Sequence, residues 1–113
     1  MNIDAIKSFD AHIYYDEQTF AQAKTLIETA RETFAVRVGH MHRKPVGPHP
    51  CWSCVLEFTP DVFDEIVPWL MLHRNGLTVL VHPNTGNDLQ DHTDYALWMG
   101  AIKPLNLSIL EHS

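Results

Sequence analysis

Two amphipathic helical stripes, separated by β-rich runs, leave this chain few ways to fold. After Asp16, which can cap a helix, Phe20, Ala23, Leu26, Ile27, Ala30 and Phe34 recur on one face at helical spacing. Thr59-Pro60 opens the second stripe with a cap followed by proline at the first helical position. Val62, Phe63, Ile66, Val67 and Leu70 form its inward face, and Pro68 inside it predicts a kink or a break. Gly76 of the "RNG" stretch is the expected C′ residue. The remaining apolar segments read as strands: "SFDAHIYY" (8–15), "AVRVGHMH" (35–42), about 50–58, and "LTVLVH" (77–82). "PNTGND" is a loop, and 88–99 is expected to be a short helix capped by Asp88 or Asp91. The order is βαββαβ. It predicts an α+β, ferredoxin-like domain with a four-stranded antiparallel sheet and both helices on one face. The C-terminal extension, "KPLNLSIL", is an extra strand or an extended arm. At 113 residues the chain, 1–113, is expected to be a single domain.

Charge narrows the partners. The net charge is −6 and no dense Lys/Arg block is present, so neither nucleic acid nor an anionic membrane is expected as a partner. No apolar run approaches the roughly 20 residues that span a bilayer, and "MNIDAIKSFD" has no signal-peptide core. A cytoplasmic protein is the expectation. Cys51 and Cys54 form a C-x-x-C. On a strand, positions i and i+3 point to opposite faces, so the pair reads as buried thiols and not as one metal site.

Eight histidines are the unusual feature. In the expected sheet, strands one and three are taken to run parallel, with two and four opposed. His42 closes strand two, His49 precedes strand three, His82 closes strand four, and His12 lies in the first half of strand one. All four would then meet at one end of the sheet. Prolines around Gly47 and His49 would hold that imidazole at little entropic cost. Neutral imidazole is the commonest metal ligand among side chains. Non-haem Fe(II) oxygenases use two histidines and a carboxylate on one face of the ion, and a three-histidine face would do similar work. A further histidine could act as acid or base. His40 lies deeper in its strand and ranks lower. His73 at a helix end and the terminal His112 are given no role. Among carboxylates, Asp10 shares a strand face with His12 and stays possible. Glu57 lies about 26 Å along its strand from His49 and is nearly excluded as a joint ligand.

The segments "FDAHIYY", "HRKPVGPHP" and "LTVLVHPNTGNDLQDHTDYALWMG" resemble the DOPA 4,5-dioxygenase family of fungi and bacteria, over roughly residues 8 to 100. The resemblance implies a ferredoxin-like fold, non-haem Fe(II), and extradiol opening of a catechol by O2. It points to His12, His49 and His82 as metal-binding histidines and to His42 and His92 as acid/base or substrate-binding groups. The division between the two sets rests on the sheet argument above. Zinc, which imidazole binds more tightly than Fe(II), is possible in the protein as purified. Arg43 could pair with a substrate carboxylate, Tyr14 and Trp98 could wall an aromatic pocket, and Asp91 could orient the neighbouring His92 ring. A homodimer covering the open sheet face is expected. Two other functions compatible with the sequence are a cofactor-free ferredoxin-like monooxygenase or isomerase, and a non-catalytic dimeric module that binds a metal or ligand.

Overall fold

The structure is a computed structural model that describes residues 2–111. His112 therefore lies outside the described residues. One antiparallel sheet of five strands carries three helices. Strand β1 is Ser8–Tyr15, β2 Arg37–Val38, β3 Trp52–Phe58, β4 Val79–Asn84 and β5 Leu97–Met99; the order across the sheet is β2-β3-β1-β4-β5. Helix α1 is Phe20–Thr33, α2 Phe63–His73 and α3 the single turn Asp88–Asp91.

Strand alternation divides the sheet into two faces. One is closed by α1 and α2. Ala11 and Ile13 of β1, Cys54 and Leu56 of β3, and Val79 and Val81 of β4 meet Ala23, Ile27, Ile66 and Leu70 there, all at most 2% exposed. Removing each large aliphatic side chain from water stabilises the fold by about 1.5–3 kcal/mol. Cys54 sits in this core with Sγ 3.4 Å from the Gly39 carbonyl, and both cysteines are free.

Several expectations need correction. The sheet has five strands because Leu97, Trp98 and Met99 follow the period of a strand and pair with β4, not the period of a helix. Only one helical turn precedes them, and it is capped by Asn87, whose side chain accepts from the Gln90 N–H. Strand two shrinks to Arg37–Val38, although Gly39 N and His42 N still bond to Val55 O and Ser53 O. Asp16 does not cap α1 directly: it exchanges hydrogen bonds with Thr19, the residue before the helix. Pro60 opens a 3-10 turn, Pro60–Val62, and α2 follows at Phe63. Helix α2 runs on through Pro68, which lies on its exposed side, where water can serve the freed carbonyl. The chain reverses after α2 through Asn75 and Gly76, both at positive φ. The tail holds a 3-10 turn, Leu107–Ile109, and no strand.

Strand direction is the main correction. β1 runs antiparallel to both β3 and β4. The start of β3 therefore lies beside the end of β1, and His49 cannot reach His12 by sharing a sheet end. It does so because the chain around His49 folds over the face opposite the helices, where His49 meets Tyr14 and His12. The Asn106 N–H donates to the Pro48 carbonyl at 2.8 Å and joins the tail to that segment. Tyr14, Ser53 and Leu80 on this second face are already buried, at 3%, 2% and 0% exposure. A second subunit is not needed to cover them.

No helix among the described residues is long and apolar enough to cross a membrane.

Candidate metal centre

The second face carries the polar residues of the same strands. Register places Asp10 opposite His82 and Glu57, and His12 opposite Leu80 and Val55. Side chains of directly paired residues share a face, so β1 and β4 present Asp10, His12 and His82 together. The segment folded over this face adds His49, and the C-cap of α3 adds His92. His12 lies 4.0 Å from His49 and stacks 5.0 Å from His82, and His82 lies 4.0 Å from His92, centroid to centroid. Donor atoms of His12, His49 and His92 lie within 4.8 Å of one another, and so do those of Asp10, His12 and His82.

Hydrogen bonds fix which nitrogen faces inward. His82 Nδ1 is 2.9 Å from the Pro83 carbonyl, and His92 Nδ1 is 2.7 Å from the Asp88 carbonyl. A carbonyl only accepts, so each Nδ1 carries the hydrogen and, in the neutral ring, Nε2 keeps its lone pair. His49 Nδ1 instead meets the Tyr14 hydroxyl at 2.6 Å. A hydroxyl donates or accepts, so this bond orients the ring and is compatible with either tautomer. The Nε2 atoms of His12 and His82 are 3.0 Å apart. In the metal-free protein one proton must lie between them, because His82 Nε2 is bare.

Burial decides the charge state. It pushes His12 well below the usual imidazole range, brings His49 down to about 4, and lowers His82, with the neighbouring histidines adding to each shift. Asp10 is pushed upward by burial, against the hydrogen bond from Asn84. It lies 3.9 Å from His12 Nε2 and 3.8 Å from His82 Nε2. Burial also raises the Tyr14 phenol, which stays neutral. At neutral pH His12, His49 and His82 are therefore uncharged imidazoles beside the Asp10 side chain.

Such a donor set fits a divalent transition metal. Metal–nitrogen bonds of about 2.1 Å at right angles put two nitrogens about 3.0 Å apart, which is the His12–His82 separation. A cation can replace the shared proton. Second-sphere bonds to the outer nitrogens are the usual support for metal-binding histidines, and His49, His82 and His92 all have them.

The other proposed residues are placed as follows. His42 lies outside these groups, its ring 5.0 Å from His40. Arg43 has its guanidinium 4.2 Å above Phe20 at the start of α1. Trp98 packs edge-on to Tyr14 at 6.0 Å, so these two rings border the histidine group. Asp91, 1% exposed, accepts from the Thr85 N–H and hydroxyl. It thereby closes the turn that leads from β4 to His92. The Tyr14–His49 bond is absent from the sequence reading, because partners 35 residues apart leave no local signal. A cavity of about 480 Å³ is lined by Ile6, Phe9, Phe63, Val81 and Leu97; it reaches His82 but no other member of the group.

Comparison with known proteins adds to this geometry. The model of the Dopa 4,5-dioxygenase family matches residues 9–109. An uncharacterized 21.2 kDa protein of Botryotinia fuckeliana is 38% identical over a 116-residue alignment covering 92% of this chain and 63% of the relative. The DOPA 4,5-dioxygenase of Amanita muscaria is 30% identical, covering 93% of this chain and 50% of its own length. The chain thus spans less than two thirds of these curated relatives. The crystal structure of a Nostoc punctiforme protein matches with a TM-score of 0.97 and 41% identity, over 99% of this chain and 97% of that one.

Proposed function

Because the chain belongs to the Dopa 4,5-dioxygenase family, we propose that it is an extradiol catechol dioxygenase using non-haem Fe(II). The observation that carries this reading is the pair of Nε2 atoms of His12 and His82 3.0 Å apart, with His12 common to two donor groups, one with His49 and His92 and one with Asp10 and His82. The ion would be held by His12, His49 and His82, the three buried histidines; His12 is common to both donor groups, His49 lies in the one with His92 and His82 in the one with Asp10. An Fe(II) ion held by these residues would supply the Lewis acidity and redox capacity that oxygenation of a catechol needs.

The protein's own groups do the rest. His92 is half-buried and more exposed than the other three. Its Nε2 accepts a catechol proton as the substrate binds and returns it later. The Nδ1–H bond to the Asp88 carbonyl supports the ring when it is charged. Tyr14 holds His49 in place through its hydroxyl, and with Trp98 it offers aromatic edges to a flat substrate. Asp10, beside both Nε2 atoms, offsets positive charge at the centre.

The test is anaerobic loading with Fe(II), then oxygen uptake with a panel of catechols and identification of the ring-opened product. Metal-dependent uptake with cleavage beside the diol supports the proposal. Full metal occupancy with no uptake on any catechol overturns it in favour of a binding module. Uptake without metal overturns it in favour of a cofactor-free oxygenase.

A further inference from the structure

Among the described residues Asp91 is the one fully buried carboxylate, and it belongs to neither donor group of the metal centre. A carboxylate withdrawn from water needs donors, and a single residue supplies both. Thr85 N–H donates to Asp91 Oδ2 at 3.0 Å, and the Thr85 hydroxyl donates to Oδ1 at 2.6 Å. Thr85 directly follows β4, and Asp91 is the last residue of α3. The two bonds therefore tie the end of the strand to the end of the helical turn. Between them the chain reverses through Gly86, at a φ of 97° that suits glycine. His92 is the next residue. Its ring lies 4.0 Å from that of His82, and its Nδ1 donates to the Asp88 carbonyl of the same turn.

We propose that Thr85 and Asp91 are positioning residues for His92: their paired hydrogen bonds fix α3 against the end of β4 and so set the distance from the His92 ring to the metal centre. This rests on the dioxygenase reading above, in which His92 moves the catechol proton. The argument is one of geometry. His82 is placed by strand pairing, whereas His92 is placed by a helix of one turn. So short a helix does not hold its own shape. The separation of the two rings thus depends on what anchors that turn to the strand. A hydrogen bond to an ionised acceptor is stronger than a neutral one, which suits a carboxylate to the task. Removing the hydroxyl would leave one buried carboxylate oxygen without a donor, and the turn would have to shift to satisfy it. An acid or base works only within about 2.6–3.2 Å of its proton, and a misplacement of about 1 Å costs about 10²-fold in rate.

The test uses Thr85→Val, which keeps the volume and the N–H and removes only the hydroxyl. The expected result is a kcat lowered about 10- to 100-fold, with KM and metal per chain as in the parent. Thr85→Ser, which restores the hydroxyl, should restore kcat. Added to His92→Ala, Thr85→Val should cause no further loss, because both changes act through one ring. An unchanged kcat in Thr85→Val, a loss that adds fully to that of His92→Ala, or a fall in metal content that matches the fall in kcat overturns the assignment. If no catechol is turned over at all, the dioxygenase reading fails, and proton NMR of the zinc-loaded protein still decides the anchoring role. The His92 Nδ1–H resonance, identified by its absence in His92→Ala, should exchange with water faster in Thr85→Val than in the parent or in Thr85→Ser. Equal exchange in all three overturns it.

Discussion

The two faces of one sheet are built from alternate residues of the same strands, and they differ in almost everything else. Ala11 and Ile13 look toward the helices, while Asp10, His12 and Tyr14 look the other way. The helix face is wholly apolar and gains its stability from burial. The opposite face buries ionisable groups at a cost and satisfies them with hydrogen bonds, so that no buried side-chain polar atom among the described residues lacks a partner. A period of two thus separates folding from chemistry within eight residues of β1. Substitutions one position apart should have unrelated consequences.

The largest expected effect lies on the polar face. His12→Ala and His82→Ala should each abolish measurable turnover and remove bound metal, while circular dichroism stays native. Retention of a full equivalent of metal by either variant would remove it from the ligand set. His92→Ala should keep the metal and lower turnover by about 10²–10⁴, the usual loss for a general acid or base. Metal loss in that variant would exchange its role with that of His82, which lies outside the donor group of His12, His49 and His92. His42→Ala, whose ring lies outside the groups, should leave both readouts near those of the parent.

On the helix face the signature is reversed. Ile13→Ala should cost about 2–5 kcal/mol in denaturant unfolding, with metal per folded chain unchanged. A catalytic defect without destabilisation there would show that the faces are not independent.

The smallest effect sharpens the contrast through pH. His49 titrates at about 4 in the fold and at about 6.5 when unfolded. The unfolded chain therefore binds more protons between these values. Stability of the metal-free protein is complete above about pH 6.5 and should fall as pH drops toward 4; His12 and His82 shift in the same direction. Asp10, pushed upward from its ordinary value of 3.8, acts in the opposite sense above that value. Urea midpoints between pH 7 and pH 4.5 measure the slope, and His49→Ala should flatten it.

Much of the helix face was legible because it is periodic. The stripes of α1 and α2 and the alternation of β1 follow directly from spacing. Leu97–Met99 escaped notice because three residues are too few to display a period. The histidines were legible as a set, but the route to their meeting was not. His12 and His82 lie together through strand pairing, whereas His49 arrives through a loop that folds over the sheet, and no local pattern encodes that path.

The carbonyl bonds to His82 and His92 have a consequence for how such a site can drift over evolutionary time. Their acceptors are main-chain atoms of Pro83 and Asp88. Replacing the side chains at those positions leaves the acceptors in place, so the orientation of these two rings is inherited with the backbone trace. His49 has no such insurance, because its outer nitrogen depends on one phenol. Among descendants of this chain, a change at Tyr14 would need a compensating change near His49, whereas positions 83 and 88 could vary with the imidazoles undisturbed.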